Sequence, residues 1–301
     1  MPIDYQALAP APVIAEIDYQ TELDQMKAEL VTKDGTLAEV LDNPAEPLTM
    51  LLEVAAYRLM IKSQELNDRA QGLLLAYATG ADLDHIGITY FRTQRLVIDA
   101  GDPLAVPPAG PTYETDDDYR ARCAIAEDAF STAGPRAAYV YFAKSASGEV
   151  KDVGAISPSP SNVTVAVLSH TGDGTASSAL LQAVTDALDD SRRPMTDNLT
   201  IQSATIKSYT INATIKTYPG YNREVVRQAS EAAGVAFGSN NHKLGLDIVL
   251  VQLTKALAVP GVMDITLNNT IAGDIVSNIV NNDTEAAYCA GVTVALGAVD
   301  E

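Results

Sequence analysis

The chain has 301 residues, 47% of them hydrophobic, and a formal net charge of −19. That apolar share excludes a disordered chain, and the length sets a prior of about two domains. The acidic surplus repels phosphate backbones and anionic lipid, so neither nucleic acid nor a membrane is expected as a partner. Thirteen Tyr stand beside four Phe and no Trp. Tyr suits half-buried strands and protein–protein surfaces. Cys123 and Cys289 match no zinc, haem or redox spacing and imply no disulfide scaffold. Residues 1–12 lack the basic and apolar runs of a signal peptide, and Leu244–Val262 is too interrupted by Asp247, Gln252 and Lys255 to span a bilayer.

In chain order, the three prolines of residues 1–12 predict an extended arm. A helix is expected over 18–31, where Leu23, Met26 and Leu30 share a face. Thr36-Leu37-Ala38-Glu39 reads as a capping box opening a short helix, which Asn43-Pro44 stops. From Pro47 a helix of about thirty residues and roughly 45 Å is expected. Its apolar stripe is Leu48, Leu51, Leu52, Ala55, Leu59, Leu66, Ala70, Leu73, Leu74 and Tyr77, with Ser63 a polar member. Glu65 and Arg69 form an i, i+4 pair off the stripe. The stripe packs within its own domain or is shared with partner chains.

Gly80-Ala81-Asp82-Leu83-Asp84-His85-Ile86-Gly87 is expected to be a helix stop, with a positive-φ Gly followed by a tight acidic turn. Residues 96–114 carry Pro103, Pro107, Pro108 and Pro111 around one strand-like run, Leu96-Val97-Ile98, and suggest a loop or arm crossing other structure. Thr115 caps a helix to about Phe130, and Asp116, Asp117 and Asp118 face its dipole. A helix near 136–145 leads to strands at 150–156 and 163–168, a turn over 170–175 and a helix over 178–189. Strands at 199–206 and 209–218, helices at 223–236 and 247–258, and strands at 262–267 and 292–296 complete the chain. Strand–helix–strand order occurs twice, a faint internal duplication of element order.

The fold class is therefore α+β: a long-helix region followed by small α+β modules with mixed or antiparallel sheets. The expected domains are a helical arm and bundle region (1–95), a first α+β region with the Pro-rich loop (96–207) and a C-terminal α+β module (208–301).

Motifs of chemistry are missing. His85, His170 and His242 lie in turn-like contexts without zincin spacing, and the chain has neither a P-loop nor a G-x-S-x-G elbow. Gly172-Asp173-Gly174 lacks the further carboxylates of a calcium loop. No catalytic residue, cofactor or metal is assigned.

Five stretches in order resemble the J-type baseplate wedge proteins of contractile tails. They are Gly80–Gly87 with Arg95; Glu114-Thr115-Asp116-Asp117-Asp118-Tyr119-Arg120-Ala121-Arg122; and Ser131–Pro135 through Tyr139, with Ser145-Ala146 and Val150–Val153. Arg193-Pro194-Met195-Thr196-Asp197 follows, then Gly245-Leu246-Asp247-Ile248 with Pro260-Gly261-Val262. Ser161-Asn162 replaces the Gly that family members often place before the strand at Val163; Asn tolerates positive φ. The resemblance implies a structural virion protein of the tail baseplate, assembled in the host bacterial cytoplasm. It implies partners: a second wedge protein joined through a helical bundle with two copies of this chain, neighbouring wedges in a ring around the hub, and the hub and sheath proteins. The ten stripe residues would form the bundle, and ring rearrangement would release sheath contraction. The rival functions are a tail-associated cell-wall hydrolase and a host-sugar-binding adhesin.

Overall fold

A computed structural model describes residues 18–131, 134–189, 192–268, 275 and 277–297. The arm expected over 1–12 and the Ser131–Pro135 motif's Thr132 and Ala133 lie outside them. The chain divides into two compact units, Met1–Gln94 and Arg95–Glu301.

The first unit is helical. α1 (Tyr19–Lys33) is capped by Asp18, whose side chain accepts from the Thr21 amide at 3.0 Å. The next cap is Asp34, not Thr36: it accepts from the Thr36 amide and opens a 3-10 turn, Gly35–Leu37, that runs into α2 (Ala38–Leu41). Asp, with its short acceptor, competes better for the free amides than the Thr two residues on. α3 spans Pro47–Gln71, with Pro47 in its first turn where no amide is needed. It has 25 residues rather than thirty, about 37 Å. Gly72 closes it: its N–H reaches the Asp68 and Ala70 carbonyls, and tight turns follow. Leu73, Leu74 and Tyr77 therefore lie beyond the helix. Glu65 is held by Lys62 at 2.6 Å rather than by Arg69.

The acidic stretch after Gly80 is also not a turn. Gly80 has the expected positive φ of 53°, but it begins α4 (Gly80–Phe91), which buries Leu83, Ile86 and Gly87. Arg92, at φ 52°, supplies the left-handed stop instead.

The second unit opens with a ribbon, not a crossing arm: β1 (Val97–Asp99) pairs antiparallel with β2 (Thr112–Tyr113). Thr115 caps α5 (Asp116–Ala124) by accepting from the Asp118 amide at 3.2 Å. A 3-10 segment, Ala126–Phe130, continues to the expected end. α6 (Arg136–Lys144) and α7 (Ser178–Ala187) accompany a sheet ordered β3-β4-β5 (Val150–Ser159, Asn162–Ser169, Asn198–Ser203). β4 pairs antiparallel with β3 and parallel with β5. Ser161, not Asn162, takes the positive φ of the β3–β4 turn, 64°.

The strand expected over 199–206 breaks at Ala204. Thr205 and Ile206 begin β6 (Thr205–Thr217), the centre of a second sheet ordered β7-β6-β8. α8 (Arg223–Asn240) and α9 (Leu250–Leu257) lie between β6 and β7 (Val262–Leu267); β8 (Glu285–Leu296) starts seven residues before the expected strand. The repeated element order is not a repeated topology. The single-helix connection joins parallel strands β4 and β5, whereas the two-helix connection joins antiparallel strands β6 and β7. The architecture is α+β with small mixed or antiparallel sheets.

Each larger sheet has its own core. Val153, Val165, Val167, Leu180 and Val184 fill the first; Ile211, Ile215, Phe237, Leu253 and Leu257 fill the second. A small cluster of Leu168, Ala204 and Ala286 lies where one sheet passes to the other.

Candidate assembly interface

The candidate residues lie on α3 and just beyond it. α1 packs against α3, and only Thr49 and Ala56 of α3 are buried. These are small residues seven apart, so one narrow strip lets the neighbouring helix approach closely. None of the ten stripe residues is buried. Leu48, Leu52, Ala55 and Ala70 are half-buried on the helix, while Leu51 is 64%, Leu59 44% and Leu66 56% exposed. Past the helix end, Leu73 is 75% exposed, Leu74 is also exposed and Tyr77 is half-buried.

Met50, Val54 and Tyr57 form a second exposed apolar line at i, i+4, i+7. At about 100° per residue it lies roughly 140° from the line through Leu48, Leu51, Ala55, Leu59 and Leu66. The sequence reading missed it. A 3,4-spaced search that also started from Met50 would have found it. The helix thus presents two apolar flanks beside its packed strip.

In the second unit, the stretches used for the resemblance prove to be joints. Tyr119 is fully buried, with the Arg95 and Arg122 guanidinium groups 4.7 and 5.7 Å from its ring centre. Arg122 Nε donates to Glu114 Oε2 at 3.0 Å, and Nη2 completes the fork on Oε1; both side chains are at most 5% exposed. Glu114 also accepts from the Leu96 amide, and Arg95 reaches Asp116 at 2.7 Å, so the ribbon is pinned to α5. The three successive carboxylates bind protein cations at two of their positions: Asp116 pairs with Arg95 and Asp117 with Arg120.

Gly134, at φ 66°, lies against Pro194, and the Tyr139 hydroxyl donates to Asp197. Two motifs some sixty residues apart are thereby joined. Asp152 of β3 accepts from the Leu244 amide at 3.0 Å and pairs with Lys144 at 2.9 Å. These side chains set the fold at element junctions. No group of three or more metal-ligating side chains occurs among the described residues, and no described helix is long and apolar enough to cross a membrane.

Comparison with known proteins agrees with this architectural reading. Residues 45–102 match the Baseplate J-like N-terminal domain and residues 131–203 the Baseplate J-like central domain. The chain is 40% identical over 308 residues to baseplate protein J of Escherichia phage P2, covering all of both chains. It belongs to the baseplate J-like family, and its role is that of a structural baseplate protein. Among solved structures, a chain of the cryo-EM anti-feeding prophage baseplate aligns with a TM-score of 0.41 and 12% identity. That alignment covers 60% of this chain and 43% of the other.

Proposed function

We propose that the chain is a subunit of the baseplate wedge of a contractile tail, joined to a second wedge protein by a helical bundle built on α3. The observation that carries this reading is an apolar helix whose flanks its own unit leaves uncovered, with Leu51 64% and Leu66 56% exposed. A bundle helix with one neighbour needs one apolar seam. The two flanks of α3 suit two further neighbours, as in a wedge of two copies of this chain and one partner. On this reading residues 1–95 form the arm and bundle, 96–207 a connecting α+β region and 208–301 the contact that closes a ring around the hub. The particle is assembled in the host cytoplasm, and ring rearrangement releases the sheath.

The test is co-purification with the second wedge protein. Leu59→Asp together with Leu66→Asp should abolish the complex while circular dichroism of the isolated chain stays native. Light scattering should give two copies of this chain per heteromer. A complex that survives the double substitution would show the bundle to be elsewhere.

A further inference from the structure

The junction between the two larger sheets holds a histidine in an unusual setting. His242, in the turn that ends α8, is 6% exposed. Its Nδ1 lies 3.0 Å from Lys151 Nζ on β3. An ammonium group can only donate, so Nδ1 is the lone-pair nitrogen and the ring is neutral with its proton on Nε2. That Nε2 is buried and makes no hydrogen bond of normal geometry, its one polar neighbour being the Asp173 backbone. The ring is closely packed. A side chain on Gly174 would meet its Cε1 and Nε2 at 2.9 Å, and the Tyr288 ring of β8 lies 5.4 Å from it. Adjacent contacts make the same junction: Leu244 N–H to Asp152, and the Asp283 carbonyl so close to Gly154 that no Cβ would fit.

We propose that the Lys151–His242 contact is a proton-operated latch that holds the two sheets of the second unit together when His242 is neutral and frees the joint when it is protonated.

A second proton on His242 must go to Nδ1, the atom facing the ammonium group. Two cations 3.0 Å apart in a buried site repel. The surroundings offset this only in part: the Asp173 backbone and carboxylate favour a charged His242 ring, and Asp118 and Asp152 favour the charge on Lys151, but burial outweighs them. From β3, Asp152 is already engaged by Lys144 and the Leu244 amide. From the turn after β4, Asp173 accepts from the Thr175 amide, and His170 adds a second titratable ring. Lys243, which follows His242 in the chain, acts against the charge on Lys151; Asp118 of α5 acts in its favour. Burial first, and Lys151 second, hold His242 below the usual imidazole range. The sign follows. The unfolded ring takes its proton near pH 6.5 and the folded ring resists it, so stability at the joint is present above that pH and is lost as pH falls below it. Because each sheet keeps a separate core, the joint can open without either sheet unfolding.

The experiment is amide hydrogen exchange on the full chain at pH 7.5 and 5.5, corrected for the intrinsic rate. In the wild type, protection in segment 241–245, whose Leu244 amide crosses the joint, should fall severalfold at the lower pH, with about tenfold the ceiling set by an unfolded imidazole that titrates near pH 6.5. The central strands β4 and β6 should keep theirs. His242→Gln, whose amide oxygen can still accept from Lys151, should remove this pH dependence, and His170→Gln should leave it. Lys151→Met, a second variant should His242→Gln misfold, should weaken the dependence. The proposal is overturned by unchanged protection in the wild type, by an equal loss in His242→Gln, or by parallel loss in β4 and β6, which is global acid unfolding. An NMR titration placing His242 at or above pH 6.5 overturns it independently.

Discussion

The two units use their apolar residues in opposite ways. In β6, Tyr209, Ile211, Ala213 and Ile215 alternate into a core, and α8 and α9 close over it with Val226, Phe237, Leu253 and Leu257. In α3, Leu51, Val54, Tyr57 and Leu66 stay exposed while the buried positions are Thr49 and Ala56. Both segments are amphipathic by sequence. Periodicity says that a helix has an apolar face; it does not say which molecule covers it. The difference separates a unit that covers its own apolar faces from one whose α3 leaves large apolar side chains exposed.

The largest effect is expected where charge is buried. Glu114→Gln removes the negative partner of Arg122 and leaves a buried guanidinium group unbalanced, at a cost of about 3–5 kcal/mol in urea unfolding. Replacing both residues with Leu should cost less than Glu114→Gln, the remaining loss being the acceptor that Glu114 gives the Leu96 amide. Equal costs for single and double variants would remove the ion pair from the account of how the ribbon is fixed.

Next come the cores. Ile215→Ala or Leu253→Ala, at positions that are fully buried, should cost about 2–5 kcal/mol. A loss below about 1 kcal/mol would erase the contrast between the units. Gly134→Ala comes third. It forces a side chain onto Pro194 at a φ of 66°, so about 1–3 kcal/mol should be lost, read as a shift in urea midpoint at constant slope.

The elements themselves were largely legible. Alternation at Leu199 and Ile201 marked β5 and alternation from Tyr209 to Ile215 marked β6, three-four spacing marked α3, and Thr115 before an acidic run marked the α5 cap. The failures have physical causes. Gly80 can end a helix or begin one, because its freedom at positive φ serves either use. The break at Ala204 follows from the passage of the chain between sheets, a tertiary event with no local signal. The Arg122–Glu114 fork spans eight residues and the Lys151–His242 contact spans 91, so neither leaves a pattern in a local window. The α3 candidates cover one flank only, because a single three-four stripe does not include Met50, Val54 and Tyr57, which lie on the other side of the packed strip.

The smallest stability effect is the sharpest test of the comparison. Leu51→Ala and Leu66→Ala leave no cavity in the isolated chain, because neither side chain is packed. Each should change stability by no more than about 0.5 kcal/mol in urea unfolding of the chain alone. If these residues are covered in a bundle, the same substitutions should weaken the heteromer, by about 1.5–3 kcal/mol for each Leu fully buried there. Met50→Ala and Tyr57→Ala divide the two flanks: equal losses from both flanks mean two neighbours, and loss from one flank means a single seam. A stability loss of several kcal/mol in the isolated chain would instead show that the first unit covers its own helix and that α3 is an ordinary core element.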